Sequence, residues 1–297
     1  MDRRKFLKFA LSTGALSQIP FWTAPNLNEK TQDLLILHTN DIHSRVEPFP
    51  KSDRKYAYQG GLSRLAKTIE NIRKTNDYSV LLDAGDVFQG TPYFNFFGGN
   101  LEYQLMSEMR YDAGTLGNHD FDGGVAGLHK AMENLRFPLL NCNYDFTASA
   151  LDKKILPYQI IQKGRVKIGL IGVGIRLKGL VPDALCAGIT YHDPISIAES
   201  LAKELKKRAC HIVICLSHLG FQYENSERVD DIQLAQKTRN IDVIIGGHTH
   251  TFMDQPLILA NQAGKNVLIH QVGWAGLRLG MIRVRVALQE RTVNFIV

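Results

Sequence analysis

From residue 33 onward, short apolar runs alternate with longer stretches whose apolar residues recur at helical spacing, the pattern of a layered α/β domain. Runs at 34–38, 80–83, 113–116 and 138–141 predict buried strands. Between them, 60–74 predicts a helix with Leu62, Leu65, Ile69 and Ile72 on one face, 100–109 a helix capped by Asn100, and 125–135 another. The second half opens with an expected hairpin, 158–162 and 166–173, turned by Lys163-Gly164. Asp193 followed by Pro194 signals the start of a helix that ends near Arg208. Strands at 212–216 and 243–245 flank a helix at 231–238, and strands near 267–271, 279–287 and 292–297 close the pattern. No repeat or low-complexity linker interrupts it, so one domain is expected over 31–297. Gly172, Gly174 and Gly179 lack the spacing of a dinucleotide fingerprint and are read as a turn.

Composition changes this picture little. With 297 residues, 44% hydrophobic and 22% charged, the chain is an ordinary globular protein, which excludes disorder, collagen and coiled coil. A net charge of +6 and a pI near 9.1 raise the question of nucleic acid. Half of the excess sits in residues 1–24, where Arg3, Arg4, Lys5 and Lys8 face only Asp2. The densest remaining run, Lys203, Lys206, Lys207 and Arg208, reads as a solvated helix end, so no nucleic-acid scaffold is expected.

Charge does matter at the N-terminus. Arg3-Arg4-Lys5-Phe6-Leu7-Lys8 precedes a modestly apolar stretch broken by Gly14 and Pro20, too short and polar to anchor in a membrane. Residues 1–30 thus read as a leader and short linker. The leader resembles a twin-arginine export signal, with Asp2 departing from the usual Ser or Thr, and implies a periplasmic or extracytoplasmic protein. Trp22-Thr23-Ala24 is followed by Pro25, so no clean cleavage motif stands out. Cys142, Cys186, Cys210 and Cys215 have no Cys-x-x-Cys spacing and are expected to be buried free thiols, with Cys210 and Cys215 on opposite faces of a strand.

The chemistry lies at the strand ends. Asp41 and His43 follow the first strand, Gly85-Asp86 the second, and Gly117-Asn118-His119-Asp120 the third; Ser217-His218 and Gly246-Gly247-His248-Thr249-His250 end two strands of the second half. In layered α/β folds the loops beyond strand C-termini converge on one rim. Asp41, His43, Asp86, Asn118, His218, His248 and His250 supply oxygen and nitrogen donors without a thiolate. That set exceeds what one tetrahedral zinc needs and suits two ions about 3.5–4 Å apart, with the Asp86 carboxylate able to bridge. His38, His129, His192, His211 and His270 fall inside predicted elements or polar loops and are not expected to be ligands.

These residues resemble the calcineurin-like metallophosphoesterases, and within them the bacterial 5'-nucleotidase and UDP-sugar hydrolase branch. The resemblance runs through Leu37-His38-Thr39-Asn40-Asp41-Ile42-His43-Ser44, Gly85-Asp86-Val87-Phe88-Gln89-Gly90-Thr91-Pro92, Gly117-Asn118-His119-Asp120-Phe121-Asp122 and Gly273-Trp274-Ala275-Gly276. It implies a four-layer αββα fold in which two mixed sheets pack together between helices. It also implies that Asp41, His43, Asp86 and His250 hold one divalent metal, and that Asp86, Asn118, His218 and His248 hold the other. The ions would be zinc, manganese, cobalt or iron. His119 would be the catalytic imidazole, oriented by Asp122. His250 stands where other members carry Gln or Asn, and Asp120 stands where many have Glu and takes no ligand role.

The implied activity is hydrolysis of nucleotides or related phosphomonoesters by metal-activated hydroxide. Two rivals remain: a thiosulfohydrolase, which shares the fold branch and export route but cleaves a sulfur ester, and a non-catalytic metal-binding subunit paired with a separate substrate-binding chain, against which the intact His119 and Asp122 argue. Members of the branch carry a second, substrate-binding domain, which is not expected within this chain. A separately encoded chain of that type is an expected partner alongside the small phosphoester substrate.

Overall fold

The structure, a computed structural model, describes residues 30–224 and 228–296, and the expected leader lies outside them. Two six-stranded sheets carry the fold. In sheet one, β1 (Thr31–Thr39), β2 (Ser79–Asp83), β3 (Ala113–Thr115) and β4 (Leu139–Leu140) run parallel in that order. The antiparallel pair β13 (Gly280–Ala287) and β14 (Thr292–Ile296) extends the sheet beyond β1. Sheet two has β7 (Val166–Gly174), β9 (Ile212–His218), β10 (Val243–Gly246) and β12 (Asn266–His270) as its parallel centre, with β6 (Tyr158–Lys163) and β11 (Leu257–Ala260) antiparallel at the edges. A small ribbon joins β5 (Tyr144–Asp145) to β8 (Thr190–Tyr191). A parallel sheet needs cover on both faces, which is why its strands read as continuous apolar runs.

The period of two sorts each strand between layers. Leu34 and Ile36 of β1 meet Ile212 and Ile214 of β9 in an apolar layer between the sheets, whereas Leu35 and Leu37 face the helical side. There they pack with Leu62, Leu65 and Ile69 of α1 (Leu62–Arg73), with Tyr103 and Met106 of α3 (Asn100–Glu108) and with Leu128 of α4 (Gly124–Ala131). On the far side of sheet two, Val213 and Cys215 meet Ala198, Ala202 and Leu205 of α5 (Pro194–Lys207) and Leu234 of α6 (Asp231–Lys237). The result is helices, sheet, sheet, helices, the mixed α/β arrangement expected. The Asp193 side chain caps α5 by accepting from the backbone N–H groups of Ile195 and Ser196.

Four local expectations are corrected. Asn100 does not cap its helix; it is the first helical residue, and Gly98 and Gly99, both left-handed, turn the chain out of α2 (Pro92–Phe97) into α3. That short helix buries no residue and so gave no periodic signal. Gly172 and Gly174 lie inside β7, where a Cβ on Gly172 would come 2.2 Å from the Leu140 carbonyl oxygen; they mark a close approach of the two sheets, not a turn. Cys210 precedes β9 and shares one apolar layer with Cys215, so the two do not face opposite sides. Cys142 and Cys186 are only partly buried, and all four thiols are free.

At one end of the inter-sheet layer, His38 of β1 meets His270 of β12, with Nε2 and Nδ1 2.9 Å apart. Burial pushes the pKa of both imidazoles down, so the pair is neutral. Gly280, the ladder partner of His38 on β13, leaves room for the ring, since a Cβ there would lie 2.0 Å from His38 Nε2. Gly280→Ala is therefore expected to destabilise by about 1–3 kcal/mol, the usual cost of overpacking. In a denaturant cycle the cost should shrink when His38→Ala is combined with it; full additivity would refute the steric account.

Candidate metal centre

The parallel strands of both sheets end at the same rim. Asp41 and His43 follow β1, Asp86 follows β2 and Asn118 follows β3, while His218 is the last residue of β9 and His248 and His250 follow β10. Asp41, His43, Asp86, His248 and His250 all have φ between 50° and 73°, the left-handed region that L-residues avoid. Each such residue costs of order 1–3 kcal/mol, and strain of this kind gathers at functional sites. Here it folds the chain sharply back at each strand end, so that side chains from separate loops point at one volume.

Two triads result. Asp41, His43 and His250 form one, and Asp86, His218 and His248 the other, each with ligand atoms within 4.8 Å of one another. His43 Nε2 is 2.9 Å from His250 Nε2, 3.9 Å from Asp41 Oδ1 and 4.0 Å from Asp86 Oδ2, so Asp86 faces both triads. His218 Nε2 is 3.1 Å from Asp86 Oδ2, yet without hydrogen-bond geometry.

The donor set fits two divalent ions on the chain's own terms. His43 Nδ1 donates to the Phe88 and Gln89 carbonyls at 3.2 and 3.1 Å, and His218 Nδ1 to the Ala84 carbonyl at 2.7 Å, which fixes both tautomers and aims Nε2 inward. Asn118 Oδ1 and His218 Nε2 are buried without a hydrogen-bond partner, a costly condition that an ion would relieve.

Electrostatics set which imidazoles carry a proton. Burial pushes His43 down, and burial with the His218 charge pushes His248 down to about 4, so both are neutral, with a ring nitrogen lone pair free to ligate. Burial also works against charge at His218, but the Asp86 carboxylate, with Asp41 and the Ala84 carbonyl, raises that imidazole to about 10, so an ion ligated by Nε2 has to displace its proton. Burial works against charge at Asp86 too, but the His218, His43 and His119 imidazoles together outweigh it and hold the carboxyl well below the usual range.

His119 and Asp122 sit beside the triads. His119 Nδ1 is 2.8 Å from Asp122 Oδ2, its ring lies 5.4 Å from that of His43, and its backbone N–H donates to Asp86 Oδ1 at 2.7 Å. Partial burial opposes its charge, but the Asp86 and Asp122 carboxylates win and raise its pKa. The side chain is 38% exposed, so Nε2 can reach a bound molecule.

Several residues that hold the rim gave no signal as ligands. Asp120 is one, and its carboxylate accepts backbone N–H groups of Asp86, Val87, Phe88 and Gly117. Asn40 donates to Asp41 Oδ2 and to the Gly273 carbonyl, both at 2.6 Å, and accepts from Val272 N–H. Trp274 stacks on the His250 imidazole with centroids 5.6 Å apart and planes 7° from parallel. Gln271, fully buried at the end of β12, spans the loop that carries His248 and His250. Its Nε2 donates to the Gly247 carbonyl at 2.5 Å, and its Oε1 accepts from the Thr249 hydroxyl and from Thr251 N–H. An amide closing an otherwise apolar strand run was the only sequence clue. Gln271→Leu keeps the bulk but strands those loop groups, and metal affinity measured by chelator competition should fall about 10–100-fold, the usual effect of losing a support behind a ligand. Unchanged affinity would show that the loop holds itself.

Comparisons with known proteins place this geometry. The family model described as calcineurin-like phosphoesterase matches residues 34–252. A snake venom 5'-nucleotidase from Crotalus adamanteus is 34% identical over 272 residues, which is 85% of this chain and 45% of that protein. The structure of an NAD nucleotidase from Haemophilus influenzae aligns with a TM-score of 0.80 at 30% identity, covering 91% of this chain and 50% of that one. A sulfate thiohydrolase from Thermus thermophilus, 17% identical with a TM-score of 0.69, shares the fold over 88% of this chain and 56% of its own. The chain thus spans about half the length of the nucleotidases it matches. With its strand-end donors, layered sheets and matching family model, the chain belongs to the calcineurin-like phosphoesterases.

Proposed function

We propose that the chain is an exported, 5'-nucleotidase-like phosphoesterase that hydrolyses nucleotides or related phosphomonoesters at a centre of two divalent ions. The observation that carries this is the meeting of the two triads at Asp86, with the His119–Asp122 pair alongside. Asp41, His43 and His250 would hold one ion and Asn118, His218 and His248 the other, with Asp86 between them.

Two dications bound there would supply Lewis acidity toward the phosphoryl oxygens and make a water acidic enough to attack phosphorus near neutral pH. The chain's own part is positioning and proton supply. His119 in its protonated form donates from Nε2 to the ester oxygen as the P–O bond breaks, so the alcohol leaves neutral. Asp122 holds the ring by its Nδ1–H and stabilises the imidazolium. Water and ester thus give alcohol and phosphate, and no covalent phosphoenzyme is needed.

Asp86→Ala should abolish metal loading and turnover together, because the carboxylate faces both triads. His119→Ala should keep its metal and lose about 10²–10⁴ in turnover, the usual contribution of acid–base catalysis. Metal content and phosphate release from AMP check both. A metal-depleted His119→Ala would move that residue among the ligands, and release of sulfate from a sulfur ester without phosphate release from any phosphoester would replace the reaction.

Export rests on the leader motif alone. Arg3→Lys with Arg4→Lys should leave the protein in the cytoplasm, read by fractionation. Unchanged export in a strain lacking the twin-arginine machinery would end that part of the proposal.

A further inference from the structure

A cleft of about 390 Å³, lined in part by Leu219, the residue after His218, plays no part in the proposed reaction. Its position follows from strand register. Gly174, the last residue of β7, pairs with His218 on β9, so the chain leaving β7 starts level with a candidate ligand. The Tyr144 hydroxyl donates to the Ile175 carbonyl and pins the start of this segment. Leu177 and Val181 are buried and anchor it further, while Arg176 and Lys178, on either side of Leu177, stay exposed and line the cleft. Leu219, which follows His218, and Arg228 line it too. With neighbouring strands about 4.8 Å apart and residues rising about 3.3 Å each, Arg176 lies within about 12 Å of the His218 backbone.

The cleft is cationic, and its two guanidiniums rest against aromatic rings. The Arg176 guanidinium lies 5.2 Å from the centroid of the Tyr191 ring, and that of Arg228 5.8 Å from Tyr223. Among the described residues none of the three forms an ion pair. The one carboxylate in the lining, Asp193, is spent on the first backbone N–H groups of α5, and Asp183 lines a separate cleft behind the same two cations. Three cations and one engaged carboxylate line a cleft whose wall begins level with a candidate ligand, and together they make a receptor for a further anion.

We propose that Arg176, Lys178 and Arg228 form a subsite for a second phosphate of the substrate, so that the centre favours phosphoesters carrying two phosphates over monophosphates. This rests on the phosphoesterase reading above and names its substrate class. The scissile phosphate lies at the metal centre and the second phosphate in the cleft, with the sugar between. Such a contact acts on binding, so it lowers KM and leaves kcat nearly unchanged.

The test compares adenosine 3',5'-bisphosphate with AMP on the metal-loaded protein and on its Arg176→Ala/Lys178→Ala variant. The wild type should show a KM at least tenfold lower for the bisphosphate, and the preference should shrink with added salt. The variant should lose the preference while its kinetics with AMP stay within about twofold. Equal KM values in the wild type, or a preference that survives in the variant, would overturn the subsite. If neither compound releases phosphate, the phosphoesterase reading fails. The subsite is then judged separately by calorimetric binding of the bisphosphate to the metal-free proteins: at least tenfold weaker binding by the variant supports it, and equal binding overturns it.

Discussion

One buried carboxylate underlies the whole rim. Asp120 accepts from Gly117 N–H at 2.7 Å, from Val87 at 2.9 Å, from Asp86 at 3.0 Å and from Phe88 at 3.2 Å, and so ties the turn after β2 to the turn after β3. Without it those N–H groups would be buried and unpaired, each at a cost of about 1–3 kcal/mol. Asp86 could then hardly stay in its left-handed conformation, and the residue that faces both triads would lose its place. Burial and the charge of Asp86 push Asp120 up to about 7, so the brace works against its own ionisation and relies on the N–H groups it gathers.

That tension is general to the centre. Away from the rim, local preference, apolar alternation and layer packing agree, as in a sequence free of internal conflict. At the rim five of the candidate donors occupy a backbone region that disfavours them, and buried imidazoles and carboxylates crowd one another. The layered sheets hold this arrangement because every ligand loop starts from a strand buried on both faces. Positional precision at the donors thus comes from apolar packing well away from them.

The strands were legible because buried runs such as 34–37 and 212–216 are continuous and apolar, and the donors were legible because they recur just beyond those runs. What escaped notice has physical reasons. Asp120 acts through backbone N–H groups, which leave no trace in residue identity. Gln271 is a single polar residue whose partners arise only when the chain folds back. α2 has no buried face, and β11 is a four-residue edge strand. Gly172 looked like a turn because a glycine signals either loose chain or crowded chain, and only the opposing Leu140 carbonyl distinguishes the two.

Each triad draws on both sheets: Asp41 and His43 come from sheet one and His250 from sheet two, while Asp86 comes from sheet one and His218 and His248 from sheet two. The centre therefore has no half that can exist early. As the chain emerges from the ribosome, Asp41 and His43 wait for more than two hundred residues before His250 appears, and β1 waits still longer for its antiparallel partner β13. Until then the nascent protein holds only part of each triad, and neither is complete before the two sheets have closed on each other.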